Sequence, residues 1–156
     1  MTERYFDDVQ EGEELTPLQK GPMTTAHLMR WSAFMENWHR IHYDWRFSTE
    51  HDGLPDVLVH GSWKQHVIAQ ALRQWATPAG WVWIVRYQYR GMDVPGDVLT
   101  VIGKVERKEA AGEFGIVDVS LGIENDRVQG RTTTGEARIV LPMRGGPAVP
   151  YPFEMS

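Results

Sequence analysis

Apolar residues recur along this chain at two spacings, helical in the first half and alternating in the second. Thr24 or Thr25 offers an N-cap for a helix running to about Glu36. Within it Leu28, Trp31 and Met35, with the adjacent Ala33 and Phe34, recur at helical spacing. A second helix is expected from Gly61-Ser62 to about Ala76, ending before Pro78 and Gly80. Trp63, Val67, Ile68, Ala71, Leu72 and Trp75 give it a wide apolar face. At ~1.5 Å rise per residue this is a rod of roughly 24 Å, long enough to be the core helix of a small domain.

From Trp81 the period falls to two. Trp81, Trp83, Val85, Tyr87 and Tyr89 alternate and predict one apolar strand face. Pro95-Gly96-Asp97 and Ala111-Gly112 mark turns, so Val98 to Arg107, Glu113 to Ile123 and Gly130 to Leu141 complete a meander. Arg4 to Leu15 reads as a short edge strand with a turn, and residues 49–59 as a loop. Residues 1–141 are read as one domain. Residues 142–156, with four of the nine prolines, are read as an extended arm. One long helix against about five strands is an α+β arrangement.

Composition narrows the function classes. With 16 basic against 21 acidic residues and no basic run, a nucleic-acid partner is not expected. Cysteine is absent, which removes thiol nucleophiles and cysteine zinc sites and fits a reducing compartment. The opening residues lack the apolar core of a signal peptide, and no apolar run approaches membrane-spanning length. A cytoplasmic protein without a membrane partner is the expectation.

The candidate chemistry lies between Glu36 and Asp44, where His39 and His42 flank Arg40 and Asp44 follows. Imidazole both accepts and donates a proton near neutral pH. The plain alternative is a polar loop whose histidines only bond their neighbours. A metal at His39-x-x-His42 is not expected, because no third ligand lies nearby in sequence.

Five short motifs fall in one order: Arg4-Tyr5-Phe6-Asp7-Asp8 with Gly12; Gly21-Pro22-Met23-Thr24; Ile41-His42-Tyr43-Asp44; Val59-His60-Gly61; and Tyr89-Arg90-Gly91 before Pro95-Gly96-Asp97. Together they resemble the MaoC-like hydratase/dehydratase family. The resemblance implies a hotdog fold, a long helix wrapped by a curved antiparallel sheet, working as dimers or paired hotdog units. It also implies reversible addition of water to an α,β-unsaturated acyl thioester of coenzyme A or acyl carrier protein, with no separate cofactor. Typical members read Asp-x-Asn-Pro-x-His, whereas here Asn37 stands at the aspartate position and His39-Arg40 replaces Asn-Pro. A carboxamide cannot act as a base. The chain looks closer to a subgroup reading Asn-x-His-Arg-Ile-His-Tyr-Asp, similar to mesaconyl-CoA-type hydratases.

Hydration needs a base for water, a proton for Cα and donors for the thioester oxygen. His42 is the expected base and proton carrier, and Asn37 could hold the water. The resemblance implies that the Gly61 N–H, at a helix N-terminus, polarises the thioester carbonyl. His39, His60 and Asp44 are candidate lining residues, with Asp44 placed to fix the tautomer of His42. Arg40, Lys64 and Arg90 are candidate contacts for the phosphates of coenzyme A. Two rivals stand beside the hydratase. A thioesterase with an acid on its central helix is disfavoured, because Gly61 to Ala76 contains no Asp or Glu. A non-catalytic hotdog subunit, binding acyl-CoA or completing a heteromer with a paralogue, is kept open by Asn37.

Overall fold

The computed structural model describes residues 3–154 apart from residue 77. Its elements are β1 (Leu18–Lys20), α1 (Thr25–Met35), α2 (Gly61–Ala76), β2 (Trp81–Tyr89), β3 (Leu99–Ala111), β4 (Phe114–Asn125) and β5 (Gly130–Pro142). The strands form one antiparallel sheet in the order β1-β3-β4-β5-β2. Irregular register at Val82/Ile84, Val105/Arg107 and Ile123/Glu124 breaks three of the strand pairings. Such bulges bend strands and increase their twist, so the sheet curls round α2. This is the hotdog arrangement.

α2 has the bounds its sequence pattern predicts. Ile68 and Leu72 are fully buried, and Val67, Ala71 and Trp75 nearly so. They pack in one core with Val117, Val119, Leu121 and Ile123 of β4 and Ala137, Ile139 and Leu141 of β5. Burying each large aliphatic contributes about 1.5–3 kcal/mol, which makes this helix–sheet contact the main apolar term. α1 is capped by Thr24, whose Oγ1 accepts from the His27 N–H while its own N–H donates to His27 Nδ1. Glu36 ends the helix in the left-handed region at φ 51°, and the Asn37 N–H reaches back to the Ser32 carbonyl at 2.9 Å. That reversal aims residues 37–44 across the end of α2.

Three expectations need correction. Arg4 to Leu15 is not a strand: Phe6–Asp8 forms a short helical turn, and only Glu14 bridges Lys104. Phe6, Val9 and Leu15 plug the core there, and Lys108 Nζ ties down the Phe6 and Val9 carbonyls. The edge strand lies after Pro17, at Leu18–Lys20. Residues 49–59 are not wholly loop, since Phe47–His51 forms a wide helical turn. On β2 the bulge at Trp83 resets the alternation. Val82, Val85 and Tyr87 therefore face the core, while Trp81 and Trp83 meet Tyr151 and Phe153 of the C-terminal segment. Phe153 also meets Phe114 of β4, and Ile116 and Val140, paired and buried, lie on the sheet face opposite the α2 core. Among the described residues no helix is long and apolar enough to cross a membrane.

A buried polar network closes the loop between β2 and β3. Lys64 Nζ donates to Asp93 Oδ2 at 2.8 Å and to the Gly91 carbonyl at 3.1 Å. Thr132 Oγ1 donates to the same carboxylate. Asn125 Nδ2 bridges Asp93 and Asp97 at 2.7 and 2.6 Å, and Arg127 Nε pairs with Asp97. Removing one member of a buried pair strands the other charge. Asp93→Ala is expected to cost about 3–5 kcal/mol in urea unfolding. Glu136→Ala, which breaks the exposed pair with Arg86, should change stability by less than about 1 kcal/mol. Equal small effects would mean that Lys64 escapes to solvent.

Candidate active site

His42 sits on a short helical turn, Arg40–His42, directly after the reversal at Glu36. Its Nδ1 lies 2.8 Å from the Leu58 carbonyl. A carbonyl only accepts, so Nδ1 carries the proton and, in the neutral ring, Nε2 holds the lone pair. The Leu58 N–H in turn donates to the Ile41 carbonyl at 2.8 Å. The turn and the segment Leu58–His60 thus brace each other.

His60 lies flat against His42, with ring centroids 3.7 Å apart and planes 19° from parallel. Its Nε2 is 2.8 Å from Ser32 Oγ, and both residues are buried. Burial lowers the pKa of His42; the bond to Leu58 opposes this and the charge of His39 adds to it. Burial also lowers His60, to about 4, helped by repulsion from His42. Near neutral pH the pair is therefore uncharged.

Gly61 begins α2, where a first-turn N–H precedes the helix's own bonding ladder. The Tyr89 hydroxyl donates to the Gly61 carbonyl at 2.6 Å. A Cβ at Gly61 would come within 2.8 Å of the Tyr89 ring. The pKa of Tyr89 is pushed up to about 12, first by burial and then by Tyr87, so the phenol stays a donor.

The structure redistributes several expected roles. Asp44 does not orient His42: it pairs with Arg40 at 2.7 Å and accepts from the Phe47 N–H, capping the next turn. Those contacts hold its carboxyl below the usual range. Arg40, besides this pair, stacks on Phe47. Lys64 is not a free phosphate contact, because it is buried in the pair with Asp93. Arg90 remains exposed and bonds Gln88. Asn37 is half-buried and its Oδ1 accepts from the His39 N–H at 3.3 Å, while His39 is exposed, its ring 6.1 Å from His42. A groove of about 740 Å³ between α1 and α2 is lined by Lys20, Arg30, Trp31, Phe34, Trp63 and His66 among others, and neither His42 nor His60 lines it.

Sequence reasoning missed Leu58, whose part is played by its backbone, and Ser32. The latter carried a signal: a serine one helical turn after Leu28, on the buried face of α1. Among the described residues no group of three or more metal-ligating side chains converges.

The family model for hydroxyacyl-thioester dehydratase type 2 matches residues 5–96, from the N-terminal turn through α2 to the network loop. The chain belongs to that family. Comparison with curated proteins by sequence returns no match. Solved structures share the fold at low identity. The (R)-hydratase from A. caviae involved in PHA biosynthesis superposes with a TM-score of 0.75 at 19% identity, covering 86% of this chain and 98% of that one. The MaoC-like dehydratase from Rhodospirillum rubrum gives 0.77 at 15%, covering 90% and 98%. A chain of the ChsH1-ChsH2 complex from Mycobacterium tuberculosis gives 0.73 at 15%, covering 85% and 98%. The family thus rests on the matching model, and the solved structures add the shared fold.

Two buried neutral imidazoles also set an acid limit on stability. Unfolded, each histidine titrates near pH 6.5; folded, His60 titrates at about 4 and His42 below its ordinary value. Between those limits the unfolded chain binds more protons, so stability is full above about pH 6.5 and falls as pH drops toward 4. Asp97 acts lower: burial raises its pKa, but bonds from Arg127, Val94 N–H and Asn125 leave it below the usual carboxylate value. Urea unfolding midpoints should therefore decline already between about pH 6.5 and 5, before the carboxylates contribute. A flat profile over that window would show the imidazoles solvated.

Proposed function

We propose that the chain is a hydro-lyase that adds water to, or removes it from, an acyl thioester, with His42 as the base and proton carrier. The observation that supports this most is the Nδ1–Leu58 bond, which leaves Nε2 of a neutral ring free to accept. In hydration, Nε2 takes a proton as the water oxygen bonds Cβ. The alkene electrons shift through Cα onto the thioester oxygen, and the imidazolium then returns the proton to Cα. Elimination is the reverse. The Gly61 N–H, at the positive end of α2, would receive the developing oxyanion. Asn37 would hold the water as a neutral donor and acceptor, since its amide cannot share the proton transfer. Of the three candidate cations, Arg90 is the exposed one without a carboxylate partner, and it would meet the carrier's phosphates, whether on coenzyme A or on a carrier protein. Branched acyl groups, as in mesaconyl-CoA-type hydratases, are the substrates that the stretch Asn37 to Asp44 suggests.

His42→Ala is expected to lower kcat/KM for hydration of a short enoyl-CoA at least ~10²-fold. The readout is absorbance loss at the conjugated thioester, with the folded state checked by circular dichroism. Parental activity in a folded variant would make His42 structural.

A second reading has its own support. Asn37 removes a carboxylate, and a structural neighbour is a two-component complex. The chain could then be the binding subunit of a heteromer, and failure of the purified parent to hydrate any enoyl-CoA would favour that reading.

We further propose a homodimer or higher hotdog oligomer. β2 is a nine-residue sheet edge, and Trp38, Tyr43 and Trp45, which flank His42 in sequence, are exposed. Long unpaired edges and clustered apolar rings favour pairing. Sedimentation at micromolar concentration should give twice the chain mass or more, and a stable monomer would rule the assembly out.

A further inference from the structure

We infer that His60 is a positioning residue for His42, anchored by the Ser32 hydroxyl and supplying the flat face against which the reacting imidazole rests; this builds on the reading of His42 as base. The geometry is specific. His60 is fixed at one edge by Ser32 Oγ at 2.8 Å and by its place at the start of α2, where its carbonyl accepts from the Trp63 and Lys64 N–H groups. Its ring plane covers that of His42 at 3.7 Å. Leu58, two residues earlier, holds the edge of His42 through Nδ1. One segment, Leu58–His60, therefore fixes His42 by edge and by face, and the edge bearing Nε2 is left for chemistry.

The stack constrains protonation as well as position. A charged His60 would lie directly against His42, so each ring opposes protonation of the other. The surrounding charges do not offset this. On the same turn Arg40 and Asp44 neutralise each other, and on α2 Lys64 is neutralised by Asp93. His39 is a further imidazole, and Tyr89 bonds the Gly61 carbonyl. Burial lowers both stacked rings. Removing His60 takes away a desolvating surface from a ring whose pKa is lowered first by burial, so the titration midpoint of His42 should rise.

The test is a titration of the His42 ring by NMR in the intact folded protein, alongside the pH dependence of kcat/KM on a short enoyl-CoA. Parent, Ser32→Ala and His60→Gln are compared. In His60→Gln the His42 midpoint should move up, and the acid limb of kcat/KM should move up with it. A loss of about ten- to a hundredfold in kcat is expected from the misplaced base, with KM nearly unchanged. Ser32→Ala removes one hydroxyl from a helix that favours alanine, and should give a smaller shift of the same sign. A merely structural His60 would lower melting temperature and leave the midpoint in place. An unmoved midpoint in folded His60→Gln, or in Ser32→Ala should the first not fold, overturns the inference. A moved midpoint in a parent that hydrates nothing would uphold the ring pairing and reject His42 as the base.

Discussion

The ion pair between Lys64 and Asp93 holds the structure at the point where its parts meet. Both side chains are almost wholly buried, and desolvating two charges costs several kcal/mol each before any attraction is counted. The cost is offset because every partner is present: Gly91, Thr132 and Asn125 complete the bonding, and Arg127 neutralises Asp97. A lysine on the core helix is thereby bound to the loop between β2 and β3. That loop then accepts from Met23 N–H through the Asp97 carbonyl and from Val59 N–H through the Asp93 carbonyl.

Those two backbone bonds carry order from the network to the site. Met23 leads into the cap of α1 at Thr24, and α1 delivers Ser32 and the reversal at Glu36. Val59 lies between Leu58 and His60, the two residues that hold His42. The imidazole is thus fixed through short paths from one buried pair, with apolar packing of α2 beneath. A site built in this way is held by bonds between elements rather than by its own loop, which suits chemistry that needs sub-ångström placement.

Much of this was legible in the residues, and the failures share a cause. α2 was readable to its ends because its wide apolar face and flanking Gly and Pro agree. The strands from Leu99 onward were readable as a meander, a few residues short at their ends. The face of β2 was not, since the bulge at Trp83 depends on pairing with β5 and leaves no mark in β2 itself. Lys64 looked like a surface cation because its partner Asp93 is 29 residues away. Asp44 looked like the orienter of His42 because the two are close in sequence, yet an acid four residues after Arg40 on a helical turn meets Arg40 first. The group that orients His42 is a main-chain carbonyl, to which side-chain identity gives no clue.

The departure at Asn37 takes on a physical meaning in this setting. A carboxylate beside an imidazole stabilises its charged form and raises its pKa. In this chain the position that holds aspartate in the resembled family holds an amide, and the acid two residues after His42, Asp44, is engaged by the Phe47 N–H and Arg40. What surrounds His42 instead is a second imidazole, a carbonyl and apolar burial. Burial and the stacked face of His60 favour a neutral His42 ring. With His42 as the proposed base, a carboxylate-assisted site would reach proton transfer by stabilising the imidazolium that forms, whereas this one would reach it by keeping the resting base free of charge.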